Sequence, residues 1–154
     1  MIEPIRVSFE VECDIHHAFS AWTAQINAWW PKDHTVSGDP ATVVVLEPRV
    51  GGRIFEHDPA GRESEWGEVT TWQPPRRLAY MWHIAADRSD ATDVEISFVP
   101  VGHETTRVDV EQRGWERLGD GRGRQWRDRN HAGWDRVIPA YQRACAAAGV
   151  RRSQ

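Results

Sequence analysis

The sequence predicts an α+β fold in which an antiparallel sheet of about seven strands wraps around a long C-terminal helix. Three observations point there. Short segments alternate apolar with polar residues, one near the start and six more between residues 41 and 113. A stripe at three- and four-residue steps then runs from 126 to 148. The alternating segments share one apolar face, and the final helix is the only element long enough to cover it.

The first segment, PIRVSFEVE, sets Ile5, Val7, Phe9 and Val11 against Arg6, Ser8, Glu10 and Glu12, the pattern of a half-buried strand. Asp14 then stands where an N-cap would, ahead of an amphipathic helix marked by Ile15, Ala18, Phe19, Trp22 and Ile26. Pro31 ends anything helical at Trp29 and Trp30 and pushes Trp30 out of the αR region, so the two rings should diverge.

Six strands follow, separated by turn signals. TVVVLEP leads to the glycines of VGG, and RIFEH to the DPAG turn at 58–61. SEWGEVTTW runs into the double proline Pro74 and Pro75, and Gly67 inside it signals a bulge that leaves the facing of Trp66 open. RRLAYMWHIA places Leu78, Tyr80, Trp82 and Ile84 on one face, with TDVEISFV and TTRVDVEQR completing the meander. A charged, Gly-rich link, ERLGDGRG, precedes a helix expected from about residue 122 to 148. Its stripe is Trp126, Asn130, Trp134, Val137, Tyr141, Ala144 and Ala148, with Pro139 inside and Gly149 as C-cap. Residues 1–150 read as one domain and 151–154 as a tail.

Composition narrows the function. A chain of 154 residues has room for one full core, burying about 70% of its unfolded surface. A net charge of −4 argues against nucleic acid, and acidic neighbours at Glu116, Asp120 and Asp128 break the arginine-rich stretch around Trp115 and Trp126. No run approaches a membrane span, and the start MIEPIRVSFEVEC shows no secretory leader, so a cytoplasmic protein is expected. Cys13 and Cys145 are then expected to be free thiols. His16 and His17 point about 100° apart on a helix and cannot easily share an ion. With no zinc spacing, Walker or G-x-G-x-x-G pattern, neither metal nor cofactor is expected.

The residues also carry a resemblance. IHHAFSAWT, AWW, VVVLEPRVGGRIFE, EWGEVTTWQPPRRLAYMW and NHAGWDRVIPAY resemble, in order, a bacterial family related to the activator of the heat-shock protein ninety ATPase. That family lies within the helix-grip superfamily (START-like, or SRPBCC). The resemblance implies a helix-grip fold with a cavity for an apolar small molecule between sheet and helix. It also implies scaffold roles: Gly51 and Gly52 for a tight turn, and Gly133 for close approach of helix to sheet.

Nine tryptophans make that cavity aromatic. Trp22 reads as plain core and Trp72 as cover for a turn. Trp82, Trp126 and Trp134 fall on facing surfaces, and Trp29 and Trp30 sit at the mouth. With Phe55, Trp66, Tyr80 and Phe98 they form the expected ligand-binding set, because an indole offers a flat apolar face plus one N–H donor. Alternation puts His83 on the outer surface, whereas a reversed register would make it a general base in the pocket. Glu56, Glu65, Glu68 and Glu111 are expected mostly as solvated outer-face residues.

The leading expectation is a binding protein for a small apolar or aromatic ligand. The first alternative is an enzyme on the same fold, a cyclase or hydrolase of a polyketide-like substrate. The second is a co-chaperone acting on heat-shock protein ninety. Homodimerisation is left open.

Overall fold

The computed structural model describes residues 2–153, with side-chain surroundings through Ala147. Seven strands, β1 (Ile5–Val11), β2 (Val43–Leu46), β3 (Arg53–His57), β4 (Glu63–Gln73), β5 (Arg77–Trp82), β6 (Thr92–Gly102) and β7 (Thr105–Arg113), form one sheet. Its order is β1-β7-β6-β5-β4-β3-β2, with every pair antiparallel. Strands β2 to β7 are the expected meander, each beside its sequence neighbour because short turns permit nothing farther. Strand β1 closes the far edge against β7.

Strand β4 skips a residue against β3. Ile54 pairs with Gly67 and Phe55 with Glu65, leaving Trp66 in the bulge. A Cβ on Gly67 would stand 2.0 Å from the Met81 carbonyl oxygen, so only glycine admits β5 this close. The chain turns from β4 to β5 through a cis Pro74–Pro75 bond.

The first helical stretch is two helices rather than one. Asp14 caps α1 (Ile15–Trp22) by accepting from the His17 N–H at 2.9 Å. Thr23 then breaks the helix, with φ −104° and ψ −83°, and its hydroxyl donates back to the Phe19 carbonyl at 2.9 Å. A single turn, α2 (Ile26–Trp29), follows, and Trp30 is extended before Pro31 at φ −58° and ψ 128°. The two rings stay in contact, with centroids 5.7 Å apart, but part from there: Trp29 packs on Trp22 and Tyr141, and Trp30 on Trp66 and Trp82.

Helix α3 (Asp120–Ser153) carries Pro139 inside and starts two residues earlier than expected. It continues through Gly149, which therefore is no C-cap. The Ala148 side chain lies outside the described surroundings. Buried Trp134, Val137, Tyr141 and Cys145 form its inner stripe. The Tyr141 hydroxyl donates to the Ala18 carbonyl at 2.6 Å and ties α3 to α1. Close approach falls at Gly123, where a Cβ would meet the Trp115 carbonyl oxygen at 2.3 Å, and not at Gly133, where nothing lies within 4 Å. Gly133 faces open space. No helix among the described residues is long and apolar enough to cross a membrane.

Candidate functional site

Between α3, the end of β5 and the segment after α2 lies a cavity of about 190 Å³. Each wall follows from local structure. Alternation on β5 aims Tyr80 and Trp82 at one face, with centroids 5.5 Å apart. The helical period brings Trp126, Asn130, Gly133, Trp134 and Val137 to the facing side of α3. The kink at Pro31 supplies the third wall, Trp30 together with His34 and Thr35 from the 3₁₀ turn Lys32–His34 and its end. Asp33, Ala85 and Arg129 are the exposed lining residues and mark the mouth.

Most polar groups in the wall are already engaged. Trp30 donates to the His34 carbonyl at 3.0 Å and Trp134 to the Gln112 side chain at 2.8 Å. Thr35 donates to the Lys32 carbonyl at 2.8 Å, and Asn130 to the Trp126 carbonyl at 2.9 Å. At the mouth, Arg136 binds Asp33 at 2.7 Å and holds its carboxyl below the usual range. The Arg129 guanidinium lies 4.9 Å from the Trp126 ring centroid. Ala85 adopts a left-handed φ of 57°, uncommon for a residue with a Cβ. Burial pushes the Tyr80 hydroxyl well above its ordinary pKa, keeping it a neutral donor. His34 differs from all of these: its Nε2 is buried with no protein partner.

Of the nine residues expected from sequence, Trp30, Tyr80, Trp82, Trp126 and Trp134 line this cavity. The other four do not. Trp29 is turned away, donating to the Ala21 carbonyl at 2.7 Å and packing on Trp22 and Tyr141. Trp66 is fully buried behind the wall, in contact with Trp30 and Trp82, because the β4 bulge turns it inward. Phe98 packs against Phe19 at 5.3 Å, in the core beneath α1. Phe55 lies under the Arg53 guanidinium, 4.1 Å from its ring centroid. His34, Thr35, Asn130, Gly133 and Val137 were absent from the expected set. Asn130 and Val137 were legible as part of the helical stripe, whereas the place of His34 depends on how the turn after Pro31 folds back.

Two further expectations need correcting. His83 is neither on the outer surface nor in the cavity. Strand β5 ends at Trp82, so alternation no longer aims it. Its buried ring meets Glu65 at 3.1 Å and the Ala86 carbonyl at 3.2 Å. Glu56 is not solvated but 1% exposed, its carboxylate accepting from the Trp66 indole and from the backbone N–H groups of Val36 and Ser37. Glu65, Glu68 and Glu111 are partly buried and ion-paired. Cys13 and Cys145 are buried thiols without a disulfide, joined by a hydrogen bond that lowers the Cys145 pKa. Among the described residues, no three His, Cys, Asp or Glu side chains converge as metal ligands would.

A curled antiparallel sheet gripping a C-terminal helix, with a cavity left between them, is the helix-grip architecture. The family model for AHSA1, the Activator of Hsp90 ATPase homolog 1-like proteins, matches residues 12–140, and the chain belongs to that family. Among solved structures it is similar to an anthrahydroquino-γ-pyrone synthase, Txn09. That pair shares 29% identity over 93% of this chain and 97% of the other, with a TM-score of 0.65. It is also similar to CalC, a self-sacrificing resistance protein from Micromonospora echinospora, at 28% identity over 95% and 96% of the two chains and a TM-score of 0.72. An HSP90 activator from Plasmodium falciparum, 17% identical over 71% of each chain with a TM-score of 0.52, shares the fold alone. No curated protein matches the chain by sequence.

Proposed function

We propose that the chain binds a flat aromatic small molecule between sheet and helix. The observation that carries this reading is the convergence of Trp30, Trp82, Trp126, Trp134 and Tyr80 on one cavity. Indole faces attract aromatic rings by stacking and by burial of apolar area. A dry apolar cavity of roughly 150 Å³ takes up benzene, so one of about 190 Å³ encloses one or two fused rings. A larger polycycle would project past Asp33, Ala85 and Arg129. Similarity to a synthase named for an anthrahydroquino-γ-pyrone supports a ligand of this kind.

Titrating a panel of flat aromatic compounds while following tryptophan fluorescence tests the reading. Saturable quenching by at least one compound is expected. Linear, collisional quenching by every compound would count against a site.

A second reading, catalysis on the bound ring system, is favoured by one observation: the wall holds both a neutral phenol, Tyr80, and an unpaired imidazole nitrogen, on His34. The co-chaperone reading rests on the family's name.

A further inference from the structure

We infer that the ligand carries a ring-bound oxygen, hydroxyl or carbonyl, that hydrogen-bonds to Nε2 of His34. The inference rests on the aromatic-binding reading above and adds the substituent that the site selects. Its basis is a comparison among polar groups of one wall. The indole N–H groups of Trp30 and Trp134, the Thr35 hydroxyl, the Asn130 amide and the Asp33 carboxylate all have protein partners. The His34 Nε2 atom is buried and has none.

A buried polar atom without a protein partner costs free energy unless water or a ligand completes it. The turn also fixes the backbone from which the His34 ring reaches. Its backbone N–H donates to the Pro31 carbonyl and its own carbonyl accepts the Trp30 indole, both at 3.0 Å. His34 therefore lines the cavity from a backbone pinned on both sides. Around it the wall is mainly apolar, so a hydrogen bond formed there is little weakened by competing solvent. A ring edge bearing oxygen satisfies this nitrogen, whereas an apolar ring of the same shape strands it.

Three ligands of matched size separate the possibilities: 1-naphthol with a hydroxyl, 1-tetralone with a carbonyl, and 1-methylnaphthalene with neither. Calorimetric titration of the wild-type protein should show the naphthol or the tetralone binding about tenfold more tightly than 1-methylnaphthalene. Preference for the naphthol assigns Nε2 as acceptor, and preference for the tetralone assigns it as donor. His34→Leu should erase the preference for the oxygen-bearing compounds over 1-methylnaphthalene. Should that variant not fold, the wild-type protein still decides. The His34 Nε2 nitrogen resonance should move markedly further with the oxygen-bearing ligand than with 1-methylnaphthalene.

Equal affinity for all three compounds, or a preference that survives His34→Leu, overturns the oxygen inference and leaves the aromatic cavity standing. Failure of 1-methylnaphthalene and both oxygenated compounds to bind defeats the cavity reading and this inference with it.

Discussion

The indole nitrogen of Trp134 donates to the side-chain carbonyl of Gln112 at 2.8 Å, and Gln112 is itself 1% exposed. One residue is thus both cavity wall and structural anchor. The amide of Gln112 reaches Thr92 at 3.0 Å, so the bond links α3 through β7 to β6. Trp134→Ala removes a buried indole and strands a buried acceptor, and should cost about 3–5 kcal/mol in urea denaturation. A loss below about 1 kcal/mol would contradict the anchoring role. Truncating Trp134 therefore cannot separate binding from stability.

Trp126 offers that separation. It is half-buried, and the opposite face of α3 is solvated. Trp126→Ala should leave a cooperative fold while weakening an aromatic ligand several-fold, about 1 kcal/mol of stacking beyond area. Unchanged affinity would remove Trp126 from the site.

Gly133 tests the cavity from the other direction. A Cβ there meets nothing within 4 Å, and glycine within a helix costs about 0.5–1 kcal/mol relative to alanine. Gly133→Leu should hold or raise the melting temperature while abolishing ligand binding, because the new side chain grows into the space the ligand needs. Undiminished binding in a folded variant would place the ligand elsewhere.

Tyr80 and Tyr141 are the chain's two tyrosines, and burial raises the pKa of both. In the unfolded chain they ionise near about 10, but in the folded chain only at higher pH. Above about pH 10 the unfolded state therefore holds fewer protons, and stability falls as pH rises; below it the stabilisation is complete. Phenolate absorbance should stay flat until the protein unfolds, then appear in one cooperative step with the loss of circular dichroism. Phenolate forming near pH 10 in a folded protein would contradict this.

Glu56 holds the segment beside the mouth. Its carboxylate accepts from the Val36 and Ser37 N–H groups and from the Trp66 indole. Glu56→Ala leaves those donors without their acceptor and should cost about 3 kcal/mol. Amide hydrogen exchange at Val36 and Ser37 should accelerate more than exchange in β6. Uniform protection across both regions would rule out a local clamp.

The architecture was legible because its signals are local. Alternation from Ile5 to Val11 and from Val94 to Phe98, or helical spacing from Trp126 to Tyr141, depends only on which way successive Cβ atoms point. Turn residues then limited each strand to its neighbour, and the apolar face required the last helix. Even the bulge was readable at Gly67, since a strand glycine marks close backbone approach. Side-chain destinations at irregular points were not readable. Trp66 turned inward at the bulge, His83 fell one residue past the end of β5, and His34 was placed by a turn that no periodicity describes.

The sequence by itself determined seven antiparallel strands, a gripping helix, an aromatic interior and membership of a recognisable family. Only the tertiary structure decided which aromatics face space and which face one another. Trp29 and Trp30 are neighbours in the chain, yet one joins the core with Trp22 and Tyr141 while the other lines the cavity. The cause is physical. A side chain's direction follows from its own backbone, but a void exists only where distant elements fail to meet. Here that place is opposite Gly133, between α3, β5 and the turn after Pro31.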